Sequence, residues 1–102
     1  MIAGDILGIK DGSLYWMDRH GNRHARVADR VQYSDFNSNL NEVLVTYQNG
    51  EVKLTDVNGN LRSSLKVTDA IDARFEGDKI LIRRRGGSIE LRDRHGNIQK
   101  TF

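Results

Sequence analysis

The chain has 102 residues, of which 37% are hydrophobic and 29% charged, and its formal net charge is +2. This length fits one domain, and the composition is too apolar for a disordered chain. No apolar run approaches the roughly 18 residues of a membrane span, and the absence of cysteine excludes disulfides and cysteine zinc sites. The first residues lack a basic segment followed by a long apolar one, so we expect no secretory signal and a cytoplasmic location.

The first third of the chain predicts short strands joined by tight turns. A shortened strand is expected at residues 1–4, and the first full strand at residues 5–10. Asp11-Gly12 is a typical hairpin turn, because both residues tolerate a positive φ. Further strands are predicted at residues 13–18 and 23–27, on either side of a turn.

The middle third repeats this order and places one more strand in front of it, at residues 31–36. Strands at residues 42–47 and 51–56 then flank Asn49-Gly50, the strongest short hairpin signal. A final strand is predicted at residues 61–67. This repeat is therefore expected to contain four antiparallel strands.

The last third follows the same plan, with strands predicted at residues 70–75, 79–85, 88–93 and 98–102. Gly86-Gly87 is expected to form a two-residue hairpin turn. Apolar and polar residues alternate from residue 88 to residue 93, so Ile89 and Leu91 share one face of their strand. Alignment of the repeats makes Leu14, Val52 and Ile89 equivalent, and likewise Trp16, Leu54 and Leu91.

One motif sets the period of these repeats. Asp-Arg-His-Gly-Asn occurs at residues 18–22 and 93–97, and a weaker copy, Asp-Val-Asn-Gly-Asn, occurs at residues 56–60. A fixed period of this length is typical of repeat proteins. We therefore predict a single repeat domain over residues 1–102, with repeats at about 1–28, 29–67 and 68–102.

Residues 70–82 and 89–93 show most clearly what this unit resembles. Four short antiparallel strands, a Gly hairpin and an Asp near a Gly turn resemble the blades of WD-repeat and quinoprotein-type β-propellers. The resemblance implies an all-β fold of three four-stranded blades. Three blades are too few to close a ring, since propellers have about four to eight, so a homodimer forming a six-bladed ring is expected. A β-trefoil, which also has three repeats of four strands, is the alternative.

The histidines of the repeated motif, His20 and His95, suggest metal binding or acid–base chemistry. The copy at residues 56–60 has Asn58 in their place but keeps Asp, Gly and Asn, the residues that a turn requires. We interpret the motif as a structural turn, with no metal site and no cofactor. His24 is expected to be isolated and exposed.

Basic residues are concentrated in the last third of the chain. A cluster that could bind phosphate groups consists of Arg83, Arg84, Arg85, Arg92 and Arg94. In a hairpin Arg84 points away from Arg83 and Arg85, so a solvated face or an interface with a partner is the competing interpretation. Nucleic-acid or polyanion binding is thus one alternative function.

Tyr15 and Trp16 are the aromatic candidates for stacking on a sugar. Trp16 aligns with Leu54 and Leu91, which predicts a core position. Tyr15 aligns with Lys53 and Glu90, which are expected to be exposed, so Tyr15 is the better candidate for a ligand contact. Carbohydrate binding is a second alternative function.

No catalytic signature is present: the chain has no G-x-S-x-G, Walker, H-E-x-x-H or calcium-loop motif. The sequence therefore predicts a non-catalytic binding or interaction module. Its expected partners are a second copy and possible protein ligands, with no membrane association.

Overall fold

The computed structural model describes residues 4–102 and contains eleven β-strands and no helix in that range. Sheet 1 contains β1 (Ile6–Lys10), β2 (Ser13–Met17) and β3 (Arg23–Ala28). Sheet 2 contains β4 (Val31–Asn37), β5 (Glu42–Tyr47), β6 (Val52–Asp56) and β7 (Leu61–Ser64). Sheet 3 contains β8 (Ala70–Glu76), β9 (Lys79–Arg84), β10 (Ile89–Arg92) and β11 (Ile98–Thr101). The prediction of an all-β chain with one antiparallel sheet per repeat is confirmed.

In each sheet the strands are hydrogen-bonded in chain order, so β4 and β8 lie at one edge of their sheets. These two strands, which we call the inner strands, also contact each other. Sheet 1 has no inner strand within residues 4–102, so four strands are found in two sheets and not in the first. The shortened strand predicted at residues 1–4 lies outside the described residues except for Gly4, a turn residue. The three sheets close into neither a barrel nor a ring within the described part of the chain.

Two apolar layers hold the three sheets together. The layer between sheets 1 and 2 is formed by Leu14, Trp16, Val31, Val43 and Val45. The layer between sheets 2 and 3 is formed by Leu44, Val52, Leu54, Leu65, Val67, Ala70, Ala73, Ile80 and Ile82. Sheet 2 contributes to both layers because successive residues of a strand point to opposite faces, and its strand β5 is therefore buried on both sides.

The register of the strands repeats from sheet to sheet. Three cross-strand pairs occupy the same place in the three sheets: Leu7 with Trp16, Leu44 with Leu54, and Leu81 with Leu91. In sheets 1 and 2 this pair faces the next sheet along the chain. The equivalence of Trp16, Leu54 and Leu91 inferred from the sequence therefore holds in the structure.

The hairpin turns differ from one another. Asp11 and Gly12 both have positive φ, at 53° and 80°, as a two-residue type I′ turn requires. Of Gly86 and Gly87, only Gly87 has a positive φ, and the Arg84 amide donates to the Ser88 carbonyl at 2.9 Å. The two-residue turn predicted at Gly86-Gly87 is wrong, because the loop has three residues and ends in a left-handed glycine.

The strand predicted at residues 61–67 is also shorter than expected. It ends at Ser64, and Lys66 adopts a φ of 59°, which lies outside the β region of backbone conformation. Leu65 and Val67 remain buried beyond the strand, and the Leu65 amide donates to the Val52 carbonyl at 3.0 Å. Their apolar alternation is preserved although the regular strand is not.

Candidate functional site

The side of sheet 3 that points away from sheet 2 has apolar residues at the same repeat positions through which sheets 1 and 2 pack on the next sheet. Its pair Leu81 and Leu91 stands where Leu44 and Leu54 stand in sheet 2. Leu44 and Leu54 are buried against sheet 3, whereas Leu81, Leu91 and the neighbouring Ile89 remain partly exposed. Sheet 3 thus presents an apolar face on which no further sheet is packed within residues 4–102. We call Leu81, Ile89 and Leu91 the outward face.

Polar and charged side chains surround the outward face. An open groove of about 360 Å³ is lined by Tyr33, Asp72, Arg74, Leu81, Arg83 and Ile89. The Arg83 guanidinium donates to the Asp72 carboxylate at 3.1 Å, and this hydrogen bond raises the pKa of Arg83. Lys100 of β11 lies opposite Leu91 in the sheet. The apolar centre of the outward face is therefore bordered by the basic side chains of Arg74, Arg83 and Lys100, and Arg83 forms an ion pair with Asp72.

The repeated turn docks on the sheet that precedes it in the chain. A Cβ added at Gly59 would lie 2.2 Å from the carbonyl oxygen of Val27, and one at Gly96 would lie 2.8 Å from that of Leu65. These glycines therefore allow a close approach of backbone to backbone. A Cβ at Gly21, in the same turn of sheet 1, meets no atom of the described chain within 4 Å. Within residues 4–102, the turn of sheet 1 therefore has no backbone surface to dock on.

Sheet 3, at the other end of the stack, has a hairpin glycine that lacks, within the described chain, the hydrogen bond made by its equivalents in sheets 1 and 2. The first residue of each inner strand donates to the hairpin glycine of the sheet before it, Val31 to Gly12 at 2.7 Å and Ala70 to Gly50 at 3.0 Å. Gly87 is the corresponding glycine of sheet 3, and a Cβ there meets nothing within 4 Å among the described residues. At each end of the stack, one glycine of the repeat lacks, among the described residues, the contact with a neighbouring sheet that its equivalents make.

The fold places four of the five arginines of the predicted basic cluster beside carboxylates. Four of them form ion pairs: Arg83 with Asp72, Arg84 with Asp69, Arg92 with Glu90, and Arg94 with Glu42. The hydrogen bond that the Arg84 guanidinium donates to the Asp69 carboxylate raises the pKa of Arg84 and lowers that of Asp69. Arg85 is exposed in the hairpin. Four of these positive charges are therefore offset by carboxylates within the chain, and binding of a polyanion to this cluster stays a prediction.

Three charged residues are buried between sheets 2 and 3. Glu42 is fully buried and accepts hydrogen bonds from Arg62 at 3.0 Å and from Arg94 at 3.1 Å. Glu90 and Arg92 are each 5% exposed and lie 2.7 Å apart. The expectation that Glu90 is exposed is wrong, because its side chain faces sheet 2, where Arg92 compensates its charge. Sequence reasoning missed the burial of Glu42 because its partners Arg62 and Arg94 lie 20 and 52 residues away along the chain.

The two aromatic candidates point to opposite sides of β2. Trp16 is 2% exposed, and its indole donates to the Val57 carbonyl at 2.8 Å, which confirms the predicted core position. Tyr15 is half-buried, and the Arg23 guanidinium lies 5.0 Å from its ring centroid. The structure therefore separates the two rings instead of joining them into one stacking platform.

The repeated motif forms the same turn three times, as predicted. In the last copy the Asp93 carboxylate accepts the amides of His95 and Asn97, both at 2.9 Å. The backbone hydrogen bond from Asn97 is the main cause that lowers the pKa of Asp93, and side-chain hydrogen bonds from asparagine dominate for Asp18 and Asp56. The turn is thus built on the aspartate and does not need the histidine.

His24 is not isolated, contrary to expectation. Its Nδ1 lies 3.1 Å from the Asp5 carboxylate and its Nε2 lies 3.5 Å from that of Asp18. This histidine bridges the start of β1 to the repeated turn of sheet 1. The contact is invisible in the sequence because Asp5 lies 19 residues away.

Residues 4–102 contain no group of three or more His, Asp or Glu side chains arranged to hold a metal ion. The same residues include no helix of the length and apolarity needed to cross a membrane. In comparisons with known proteins, the chain matches no family model and no curated sequence.

Proposed function

We propose that this protein is a non-catalytic interaction module of the β-propeller type, which closes into a six-sheet ring by pairing with a second copy. The observation that carries the proposal is the outward face of sheet 3. Leu81, Ile89 and Leu91 occupy the repeat positions that bury Leu44, Val52 and Leu54 between sheets 2 and 3. An apolar sheet face built in this way is an interaction surface.

Head-to-tail pairing places the outward face of one copy against sheet 1 of the other. The turn of sheet 1 then docks as the other two turns do. Val27 and Leu65, whose carbonyls receive the turns at Gly59 and Gly96, each stand five residues after the asparagine of their own turn. Phe102 stands at the same distance from Asn97, so the turn at Gly21 is expected to dock on the backbone of the partner at Phe102. Repeating this contact twice gives a closed, two-fold symmetric ring.

Two leucine variants test the interface. Leu91→Arg puts a charge in the centre of the outward face, and Leu61→Arg makes the same change on β7, where Leu61 is already 61% exposed. In sedimentation equilibrium we expect the wild-type chain and Leu61→Arg to be dimers and Leu91→Arg to be a monomer. Circular dichroism should show the same β-content for all three. A Leu91→Arg dimer as tight as that of the wild type would show that this face is not the interface.

A further inference from the structure

In the described part of the chain, no strand covers the edge of sheet 1 formed by β1, whereas β4 and β8 cover the equivalent edges of the other two sheets. In sheet 2, β5 pairs with the inner strand β4 and is buried along almost its entire length. Its counterpart in sheet 1 is β1, which pairs only with β2 within residues 4–102. Ile6 and Ile9 of β1 are 56% and 42% exposed. An edge strand with exposed apolar side chains is a template for pairing with another strand.

The inner strands β4 and β8 show which side chains a strand paired with β1 would carry. Each carries a phenylalanine that packs toward the preceding sheet. The Phe36 ring of β4 meets Trp16 edge-on, with centroids 5.1 Å apart, and Phe75 of β8 packs against the layer between sheets 2 and 3. An inner strand thus contributes one aromatic side chain to the contact between two sheets.

Side chains of one inner strand also hold the backbone of the next. Gln32 of β4 donates to the Ile71 carbonyl at 2.6 Å, and Asn37 donates to the Gly77 carbonyl at 3.4 Å. Asp35 accepts the Phe75 amide at 2.8 Å. A strand added to β1 would stand to β4 as β4 stands to β8. The Gln, Asp and Asn of β4 therefore define the side chains that suit it.

We propose that β1 binds an extended segment of a partner protein as an added antiparallel strand with the side-chain pattern of β4. Main-chain hydrogen bonds supply affinity in this mode, and alternate side chains supply specificity. The inference names the partner of the interaction module and rests on that function, but it does not require ring closure.

The register of sheet 2 defines how the segment lies on β1. Phe36 is opposite Val43 in sheet 2, and Ile6 takes the place of Val43 in sheet 1. The phenylalanine of the bound segment therefore lies opposite Ile6, on the side of sheet 1 where Met17 is the next residue across. This contact covers the most exposed apolar side chain of β1.

Synthetic peptides with the sequences of the two inner strands test the proposal. The peptide Val-Gln-Tyr-Ser-Asp-Phe-Asn, corresponding to β4, should bind the full chain saturably in fluorescence anisotropy. The peptide Ala-Ile-Asp-Ala-Arg-Phe-Glu, corresponding to β8, lacks the Gln and Asn amides and should bind about tenfold more weakly. The β4 peptide with alanine in place of phenylalanine should also lose about tenfold or more in affinity.

The binding position is tested on the protein itself. Ile6→Lys should weaken binding of the β4 peptide about tenfold, and Leu61→Lys, a matched change on exposed β7, should leave it unchanged. Hydrogen exchange should slow on binding in residues 6–10 and not in β7 or β11. Absence of saturable binding at about 1 mM peptide overturns the proposal. Equal binding to both peptides, or protection at another edge, overturns it as well.

The solution mass of the same samples separates this inference from the proposed ring. A monomer that binds the β4 peptide at β1 supports strand capture and contradicts ring closure. A dimer whose β1 amides are already protected without peptide shows that a second copy occupies the edge, and this overturns capture of a partner segment.

Discussion

Two buried threonines of sheet 2 differ in whether their hydroxyl groups are hydrogen-bonded. The Thr55 hydroxyl has two carbonyl acceptors within reach of its single proton, that of Asp56 at 2.9 Å and that of Val43 at 3.3 Å. The Thr46 hydroxyl is buried without a hydrogen-bond partner among the described residues. A buried polar group that lacks a partner destabilises the fold, whereas one that is paired contributes a little.

Valine at these two positions should therefore have opposite effects. We expect Thr46→Val to raise the free energy of unfolding by about 1 kcal/mol, and Thr55→Val to lower it by about 1 kcal/mol. Valine has the shape of threonine, so the pair isolates the hydroxyl. Urea unfolding followed by circular dichroism measures both. A destabilised Thr46→Val variant would show that its hydroxyl is satisfied in solution.

The turn aspartates predict how stability depends on pH. Hydrogen bonds in the fold lower the pKa of Asp18, Asp56 and Asp93 below the usual value of an aspartate. The unfolded chain therefore binds protons first as the pH falls, so this stability is present above about pH 4 and is lost below it as the folded pKa is approached.

The urea concentration at the unfolding midpoint should therefore decrease as the pH is lowered from about 4 to about 2. Replacing all three aspartates by asparagine should lower stability at neutral pH and flatten this acid dependence, because the titrating groups are removed. Asp93→Asn alone should remove part of it. An acid profile in the triple variant as steep as that of the wild type would assign the dependence to other carboxylates.

Residue roles were predictable where they depend on near neighbours. The turn aspartates bond amides two and four residues away, and Trp16 was identified as a core residue from the alignment of the repeats. The burial of Glu42 was not predictable, because its partner Arg94 lies 52 residues away on another sheet. Local turn chemistry is encoded in short motifs, whereas compensation of buried charge depends on the packing of sheets.

At the scale of the elements, the repeated turn is both a connection and a docking device. All three copies place glycine in the left-handed region, with φ between 85° and 91°. Only Gly59 and Gly96 also lie against a backbone carbonyl of the described chain. The three glycines thus share one conformational requirement and differ in their surroundings.

Alanine substitutions separate these two requirements. Gly21→Ala should lower the free energy of unfolding by about 1–2 kcal/mol, the strain of a left-handed alanine. Gly59→Ala should cost clearly more, because its Cβ would also meet the Val27 carbonyl at 2.2 Å. Urea unfolding at low protein concentration measures the difference in monomers. Equal losses would contradict the close docking of the second turn.

The strands were predictable because period-two alternation and Gly turns are local signals. Their ends were less so: Lys66 takes a left-handed φ that ends β7 early, and Gly86 keeps a negative φ in a three-residue loop. Both departures occur where the chain passes from one sheet to the next or turns at a sheet end. The backbone conformation at such positions depends on packing between sheets, which the sequence of a single repeat does not reveal.

At the scale of the whole molecule, the two faces that meet in the proposed ring have charges of the same sign. Arg74 and Lys100 border the outward face of sheet 3. On the free side of sheet 1, Arg23 lies across from Met17, and Arg26, which is paired with Asp29 at 3.5 Å, lies across from Tyr15. Like charges at an interface repel each other, and salt screens this repulsion.

Association should therefore tighten with ionic strength. We expect the dimer dissociation constant to fall as sodium chloride rises from about 0.1 M, where the Debye length is about 10 Å, to about 1 M, where it is about 3 Å. Sedimentation equilibrium at several salt concentrations measures this change. Dissociation promoted by salt would show that attraction between opposite charges holds the copies together, and would contradict an apolar interface between these faces.

The sequence predicts three full strands and one shortened strand for the first repeat, but the repeat period could not reveal that β1 has an uncovered edge within the described chain. That difference emerges when β1 is compared with β5, whose inner edge is covered by β4. The proposed closure of the stack depends on surfaces that no sequence motif marks, such as that of Leu81 and Leu91. These are recognised once their equivalents are seen buried between sheets.

The solution mass of the full chain tests the central claim most directly. Sedimentation equilibrium at about 0.5 M sodium chloride, where charge repulsion is largely screened, should give twice the chain mass of 11.6 kDa. This is the result expected if two stacks of three sheets close into a ring. A folded species of 11.6 kDa that unfolds cooperatively, with no dimer at high protein concentration, would contradict the account.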